Sequence, residues 1–146
     1  MSEQTVIDGL VAVLQATDGF TETDTGAATA DDHRVLTGGI DRAAIVLSNA
    51  FSQTLLSESG ITQVSYTLDL GLYIRHTDEV SKMRQDMRLY TQNIIAAVNA
   101  DPTLSGAAAD CIVSAGHVED EKLVIGGVAF GQMLLTVVAT EYLTTT

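Results

Sequence analysis

From Val64 to Ile74 every second residue is apolar: Val64, Tyr66, Leu68, Leu70, Leu72 and Ile74 share one face, while Ser65, Thr67, Asp69 and Gly71 fill most of the other. A period of two over so long a run fits a half-buried strand, because successive side chains leave a pleated backbone on opposite sides. The next stretch changes period. Between Asp78 and Ala100, the residues Val80, Met83, Met87, Tyr90, Ile94 and Val98 recur three or four apart, which makes one stripe down a helix. A strand with one face to bury, followed at once by a helix with one apolar stripe, predicts a sheet with the helix laid on it.

The remaining segments fit around that pair. Glu3 to Ala16 reads as an amphipathic helix with Val6, Ile7, Leu10, Val13 and Leu14 on one face. Residues 17–39 turn polar and small, with Asp-Gly, Thr-Gly and Gly-Gly turn signals and five acids by Asp32, and read as a long acidic loop that orders against a partner. Ala43 to Asn49 is a short apolar strand suited to the middle of a sheet. Ser52 to Ser57 reads as another, ending at the Ser59-Gly60 turn.

Asp101-Pro102 stops the long helix, since the residue before proline is pushed out of the helical region. Ala109 to Val118 and Val128 to Leu143 then read as an antiparallel hairpin with a tip at 119–127, carrying Glu119, Asp120, Glu121 and Lys122. The order predicts one α+β domain over residues 1–146. It has a mainly antiparallel sheet, with an N-terminal helix and one long central helix packed on one face.

Strand length adds a constraint. At about 3.3 Å per residue, Val64 to Arg75 spans roughly 40 Å and Val128 to Leu143 roughly 50 Å, as much as or more than the width of a compact chain of this size. Such strands bend, break or protrude. Gly71 and Gly131 are the natural bend points, and a protruding hairpin that pairs with a neighbouring subunit is the other solution.

Charge narrows the functions. Nineteen acids against seven Lys plus Arg give a net charge of -12, so the chain lacks the clustered cations that sequence-specific or general nucleic-acid binding requires. The single cysteine, Cys111, excludes an intramolecular disulfide, and its apolar surroundings point to packing. The N-terminus carries Glu3 and Asp8 where an export signal has basic residues, and no apolar run reaches the ~18 residues of a membrane span. A reducing cytoplasm is the expected folding compartment.

Signals for chemistry are sparse. There is no Gly-x-Ser-x-Gly elbow, no phosphate-cradling Gly-x-x-x-x-Gly-Lys and no Gly-x-Gly-x-x-Gly. Asp31-Asp32-His33 and His117 beside Glu119, Asp120 and Glu121 place carboxylates next to imidazoles, but adjacent residues rarely converge on one ion without a distant third ligand. Both read as solvated turns, and His76 reads as a strand-to-helix junction. The expectation is a protein without catalytic, cofactor or metal residues.

The passage from the long strand through the helix to Asp101-Pro102-Thr103-Leu104-Ser105-Gly106, then a strand and a closing hairpin, resembles the tail terminator, or tail completion, proteins of long-tailed phages. In that family a similar Asp-Pro-(Thr)-Leu-x-Gly segment follows the long helix. The likeness covers most of the chain in element order, and its local motif is the helix-stop segment Asp101, Pro102, Thr103, Leu104 and Gly106. It implies a non-enzymatic virion subunit, assembled in the host cytoplasm, that forms a hexameric ring with copies of itself on the tail tube protein and offers a surface to the head-completion or connector protein. Another head-to-tail connector or neck adaptor is the nearest alternative. A small cytoplasmic α+β binding module or enzyme, served by His33 or His117, is the alternative of a different class.

One charge contrast bears on a ring. Residues 75–88 hold four basic residues and three acids, a net of +1, whereas the rest of the chain holds sixteen acids and three basic residues, a net of -13. Arg84 and Arg88 lie one turn apart on a helix flank, and Leu89 points away from the buried stripe beside Lys82. The expected subunit-contact residues are therefore Arg75, Lys82, Arg84, Arg88 and Leu89, with Glu119, Asp120 and Glu121 at the hairpin tip as the acidic counterpart.

Overall fold

A computed structural model of the chain describes residues 3–21, 26–31, 35–36, 39–56, 60–75, 80–125 and 128–144. The chain runs α1 (Glu3–Gln15), β1 (Gly26–Ala30), β2 (Arg42–Leu56), β3 (Ile61–Arg75), α2 (Val80–Ala100), β4 (Asp110–Ile125) and β5 (Val128–Thr144). The five strands form one sheet in the order β1-β2-β3-β5-β4. β1 is parallel to β2 and every other pair is antiparallel, so the fold is α+β with a mostly antiparallel sheet.

The alternating strand is the centre of that sheet. β3 pairs with β5 without interruption from Ile61 opposite Thr144 to Arg75 opposite Phe130. Its even-numbered residues face the helices. There Val6, Ile7, Leu10 and Leu14 of α1 and Met83, Met87, Ile94 and Val98 of α2 bury Ala44, Val46, Leu68, Leu70, Leu72, Leu135 and Val137 in one core. Cys111 belongs to it too; burial, with a smaller push from Asp110, raises its thiol to about 12, so it packs as an inert apolar group.

The opposite face is not bare. Leu36, Ala43, Ile45, Tyr73 and Phe130 form a second, smaller core, with Val35 and Ile40 packed on it. The Gln132 amide donates to the Tyr73 hydroxyl at 3.2 Å, and burial outweighs that bond in pushing the phenol above its ordinary value. Farther along the same face the rows Leu47-Asp69-Thr136-Ser114 and Thr67-Val138-Ile112 are half-buried or exposed, with Ile112 58% and Tyr142 53% accessible.

Three sequence expectations are corrected. Residues 17–39 are not one loop: Gly26–Ala30 is a strand, Phe20 is buried in the main core, and Val35 and Leu36 close the second one. The strands expected at 43–49 and 52–57 are a single β2, because the register shift between Ser48 and Ala50 absorbs a residue where Ser48-Asn49 interrupts the apolar run. The hairpin tip does not lie at Glu119–Lys122. β4 continues to Ile125, and its register shifts between Ala115 and Val118 and between Glu119 and Leu123. A bulged, charged edge strand resists pairing with foreign strands, which accounts for an acidic run inside a strand.

Pairing in the β3–β5 ladder runs through Gly71 and Gly131 without a register shift. Gly131 admits the helix above it, where an added Cβ would stand 2.6 Å from Met87 Cε and 2.7 Å from Met83 Sδ. The helix expected from Asp78 is observed from Val80; Asp78 and Glu79, like His33 and His76, lie outside the described residues.

One further contact ties the layers together. Arg42, on the helix-facing side of β2, sets its guanidinium carbon 4.5 Å from the centre of the Tyr90 ring and donates to the Gly19 carbonyl at 3.1 Å. Phe20 meets Tyr90 edge to face, with ring centres 5.8 Å apart. The turn after α1, the start of β2 and the middle of α2 are thereby fixed to one another.

Candidate subunit interface

The stop segment is a compact, self-bonded turn. The Asp101 amide closes α2 on the carbonyls of Ala97 and Val98, and the Asp101 carboxylate accepts the Ser105 amide at 3.1 Å, the Ser105 hydroxyl at 3.0 Å and the Thr103 hydroxyl at 3.4 Å. Leu104, Ser105 and Gly106 then take φ of 51, 58 and 95° in succession. Only the last suits its residue without cost, so the carboxylate and the burial of Leu104 hold two side-chain-bearing residues in the left-handed region. The reversal leads into β4, where the Ala109 amide reaches the Thr140 carbonyl at 2.8 Å. Ser105, which the helix-stop residues inferred from sequence left out, is the main partner of Asp101.

These bonds hold the Asp101 carboxyl below its ordinary value, the backbone and side chain of Ser105 being the first causes. A carboxyl whose folded value is depressed stabilises the fold fully above its unfolded value and loses that contribution as pH falls through the folded one. Asp101→Asn is therefore expected to be less stable than the parent at neutral pH, with the difference closing below about pH 4. Urea midpoints of the two proteins across an acid series check this; a constant gap down to the lowest pH would assign the loss to something other than ionisation.

Between α1 and α2 runs an open groove of about 650 Å³. Gly9 and Ala12 of α1 and Ala16 just beyond its end line one side, Ala96 and Ala97 of α2 line the other, and Asp18 and Asp101 lie in the lining beyond the C-terminal ends of the two helices. At one end of the groove Gly9 lets α1 lie against the turn that follows α2: an added Cβ there would stand 2.6 Å from Ala107 Cβ and 3.2 Å from the Leu104 carbonyl oxygen.

The residues expected at a subunit contact fall into three places. Arg75 ends β3, with its Nη1 4.0 Å from Asp41 Oδ1 and both side chains about half exposed. Lys82 and Leu89 lie on the outward side of α2, where Leu89 is 49% accessible. Arg84 and Arg88 are exposed on the flank of α2 that approaches β4, the Arg88 Nε donating to the Arg84 carbonyl at 3.3 Å. The register sets Glu119 opposite Gln132, close to where Met83 and Met87 cross Gly131. The acidic stretch of β4 and the basic flank of α2 thus share one end of the subunit; the side chains of Glu119, Asp120 and Glu121, like that of His117, lie outside the described residues.

Among the described residues no group of His, Cys, Asp and Glu is placed to hold a metal, and no helix is long and apolar enough to cross a membrane. No family model matches this chain, and no curated protein matches it.

Proposed function

We propose that this chain is a tail terminator subunit of a long-tailed phage: a structural virion protein whose copies form a ring on the last ring of the tail tube and present the surface that the head joins. The observation that carries the proposal is the Asp101–Gly106 turn between a long helix and a closing hairpin, the segment in which the chain resembles that family. The number six comes from the same resemblance. Geometry is the mechanism, since heterologous contacts between copies close at a fixed number and so cap the tube at a fixed diameter.

Disrupting the gene and examining the lysate by electron microscopy tests the proposal. Overlong tails without heads are the expected defect. Tails of normal length without heads would move the protein to the neck, as a connector, and normal virions would end the structural proposal.

The basic flank supplies a mutational test. Arg84→Glu with Arg88→Glu should leave the circular dichroism spectrum and unfolding midpoint close to the parent's, because exposed surface changes usually alter stability by less than about 0.5 kcal/mol. Ring assembly, followed by light scattering with the tube present, should be lost. A double variant that assembles normally would remove the flank from the contact.

A further inference from the structure

The groove between the two helices and the Arg84–Arg88 flank lie on opposite sides of the same helix. Arg88 and Ala97 are nine residues apart, so at about 100° per residue they point about 180° apart. The flank approaches the β4 side of the sheet, and the groove opens toward α1. Neither surface can reach the other within one subunit. Side by side, a second copy can place its flank against the groove of the first and leave its own groove open for a third.

The two surfaces are also complementary. The groove offers small side chains along its floor and the acidic residue Asp18 in its lining, beside Asn93. A long cationic side chain fits that pattern, with its methylene stem on the apolar floor and its planar head on the acid. α1 carries Glu3 and Asp8 and no basic residue, whereas α2 carries Lys82, Arg84 and Arg88 against Asp86. Within the flank the geometry selects Arg88. It lies one turn beyond Arg84 and about 40° farther around the helix, away from the end of the sheet that Arg84 shares with the acidic stretch of β4.

We infer that in the assembled ring Arg88 of one copy enters the groove between α1 and α2 of the next, its guanidinium meeting the carboxylate of Asp18, which the Asn93 side chain holds beside α2 through the Asp18 carbonyl. The contact is heterologous by construction, because donor and receiver occupy opposite flanks of a single helix, and repetition of it generates a ring where the rotation closes. The inference rests on the ring proposed above and names the surfaces that would build it.

Cysteine cross-linking tests it directly. Cys111 is buried with its thiol pushed up to about 12, so it does not compete for oxidant. In an Arg88→Cys/Ala97→Cys protein the two thiols are separated by nine residues of helix, about 13.5 Å of rise, beyond the reach of a disulfide. Any bond between them therefore joins two copies. At millimolar concentration with a mild oxidant, the double variant should give a ladder on a non-reducing gel that ends in a closed species, and an equimolar mixture of the two single variants should stop at dimers.

A charge exchange supplies the second measurement. Arg88→Asp and Asp18→Arg should each weaken self-association about tenfold, and the combined exchange should restore most of it. A double-cysteine protein that forms no bond between copies, or a charge exchange that restores nothing, overturns the groove contact, whatever the tails look like. Normal tails in the gene-disrupted phage overturn the ring while leaving these cross-linking outcomes readable on their own.

Discussion

Phe130→Ala is expected to lower the unfolding free energy by about 3 to 5 kcal/mol, the range for truncating a fully buried aromatic side chain. Phe130 is completely inaccessible, and it sits on the face of the sheet opposite α1 and α2. What buries it is Tyr73 on the neighbouring strand, Ala43 and Ile45 on β2, and the Val35–Leu36 turn lying over them. The strand neighbours are held by the ladder and cannot follow the missing ring. The cost grows with the cavity that remains, so the value within the range measures how far the residues around the site relax. Tyr142→Ala is the control: it removes an aromatic ring from the open end of the same face, where half of the side chain already meets water, and should cost far less. Urea unfolding of both variants checks the pair, the Phe130 variant shifting its midpoint without a change in slope. Equal losses would mean that this face is not divided into a covered and an open half.

The contrast between the two faces shows what the sequence could disclose. The alternation of Val64 to Ile74 and the Met83-Met87-Ile94-Val98 stripe were legible because each residue's burial follows from a local period, and both elements formed where that period placed them. Leu89 was legible for the same reason, its angle alone turning it outward. The second core was not. It joins Leu36, Ala43, Ile45, Tyr73 and Phe130 across almost a hundred residues, and no local pattern marks Phe130 as covered rather than solvent-facing.

The Arg42 contact was hidden in a similar way. A cation near the start of an apolar run reads as a strand end, and only the tertiary arrangement brings the Tyr90 ring and the Gly19 carbonyl to it. For the groove, no sequence signal singled out the small residues Gly9, Ala12 and Ala16 in and just after α1, or Ala96 and Ala97 on α2. That the two sets face each other depends on how the helices cross, which the turn at Asp101–Gly106 and the β4 connection determine.

The acidic run at Glu119–Glu121 failed for another reason. Consecutive charges are turn-like by composition, yet on an edge strand they serve equally well as a guard against foreign strands. Composition cannot separate the two readings; only the register of β4 on β5 does so.

Gly26→Val is expected to detach β1 and to lower stability by about 3 kcal/mol, near the upper end for forcing extra atoms into a packed site. A Cβ at this position would collide with the Gly19 carbonyl oxygen and stand 2.8 Å from Phe20 Cα. Both obstacles are backbone, so no rotamer change can make room, in contrast to Gly131, where the atoms in the way are the flexible ends of Met83 and Met87. Nor can the backbone at 19–20 retreat cheaply. The Gly19 carbonyl accepts from Arg42, Phe20 is buried against Tyr90, and Gly19 itself has a φ of 99° with the Tyr90 ring pressed close. The least costly response is for residues 26–30 to leave the sheet, since they hold one edge of β2 by a five-residue parallel ladder whereas β2 keeps its long antiparallel ladder to β3. Amide exchange should therefore speed up at Ala27 to Asp31, the last through loss of its 3.0 Å bond to the Val46 carbonyl, while the β3–β5 ladder stays protected. Gly131→Ala, by the same measurement, should leave exchange in β1 unchanged. Uniform acceleration across the sheet in the Gly26 variant would show instead that β1 unfolds with the whole domain, so that the short strand invisible to sequence periodicity is part of its cooperative core.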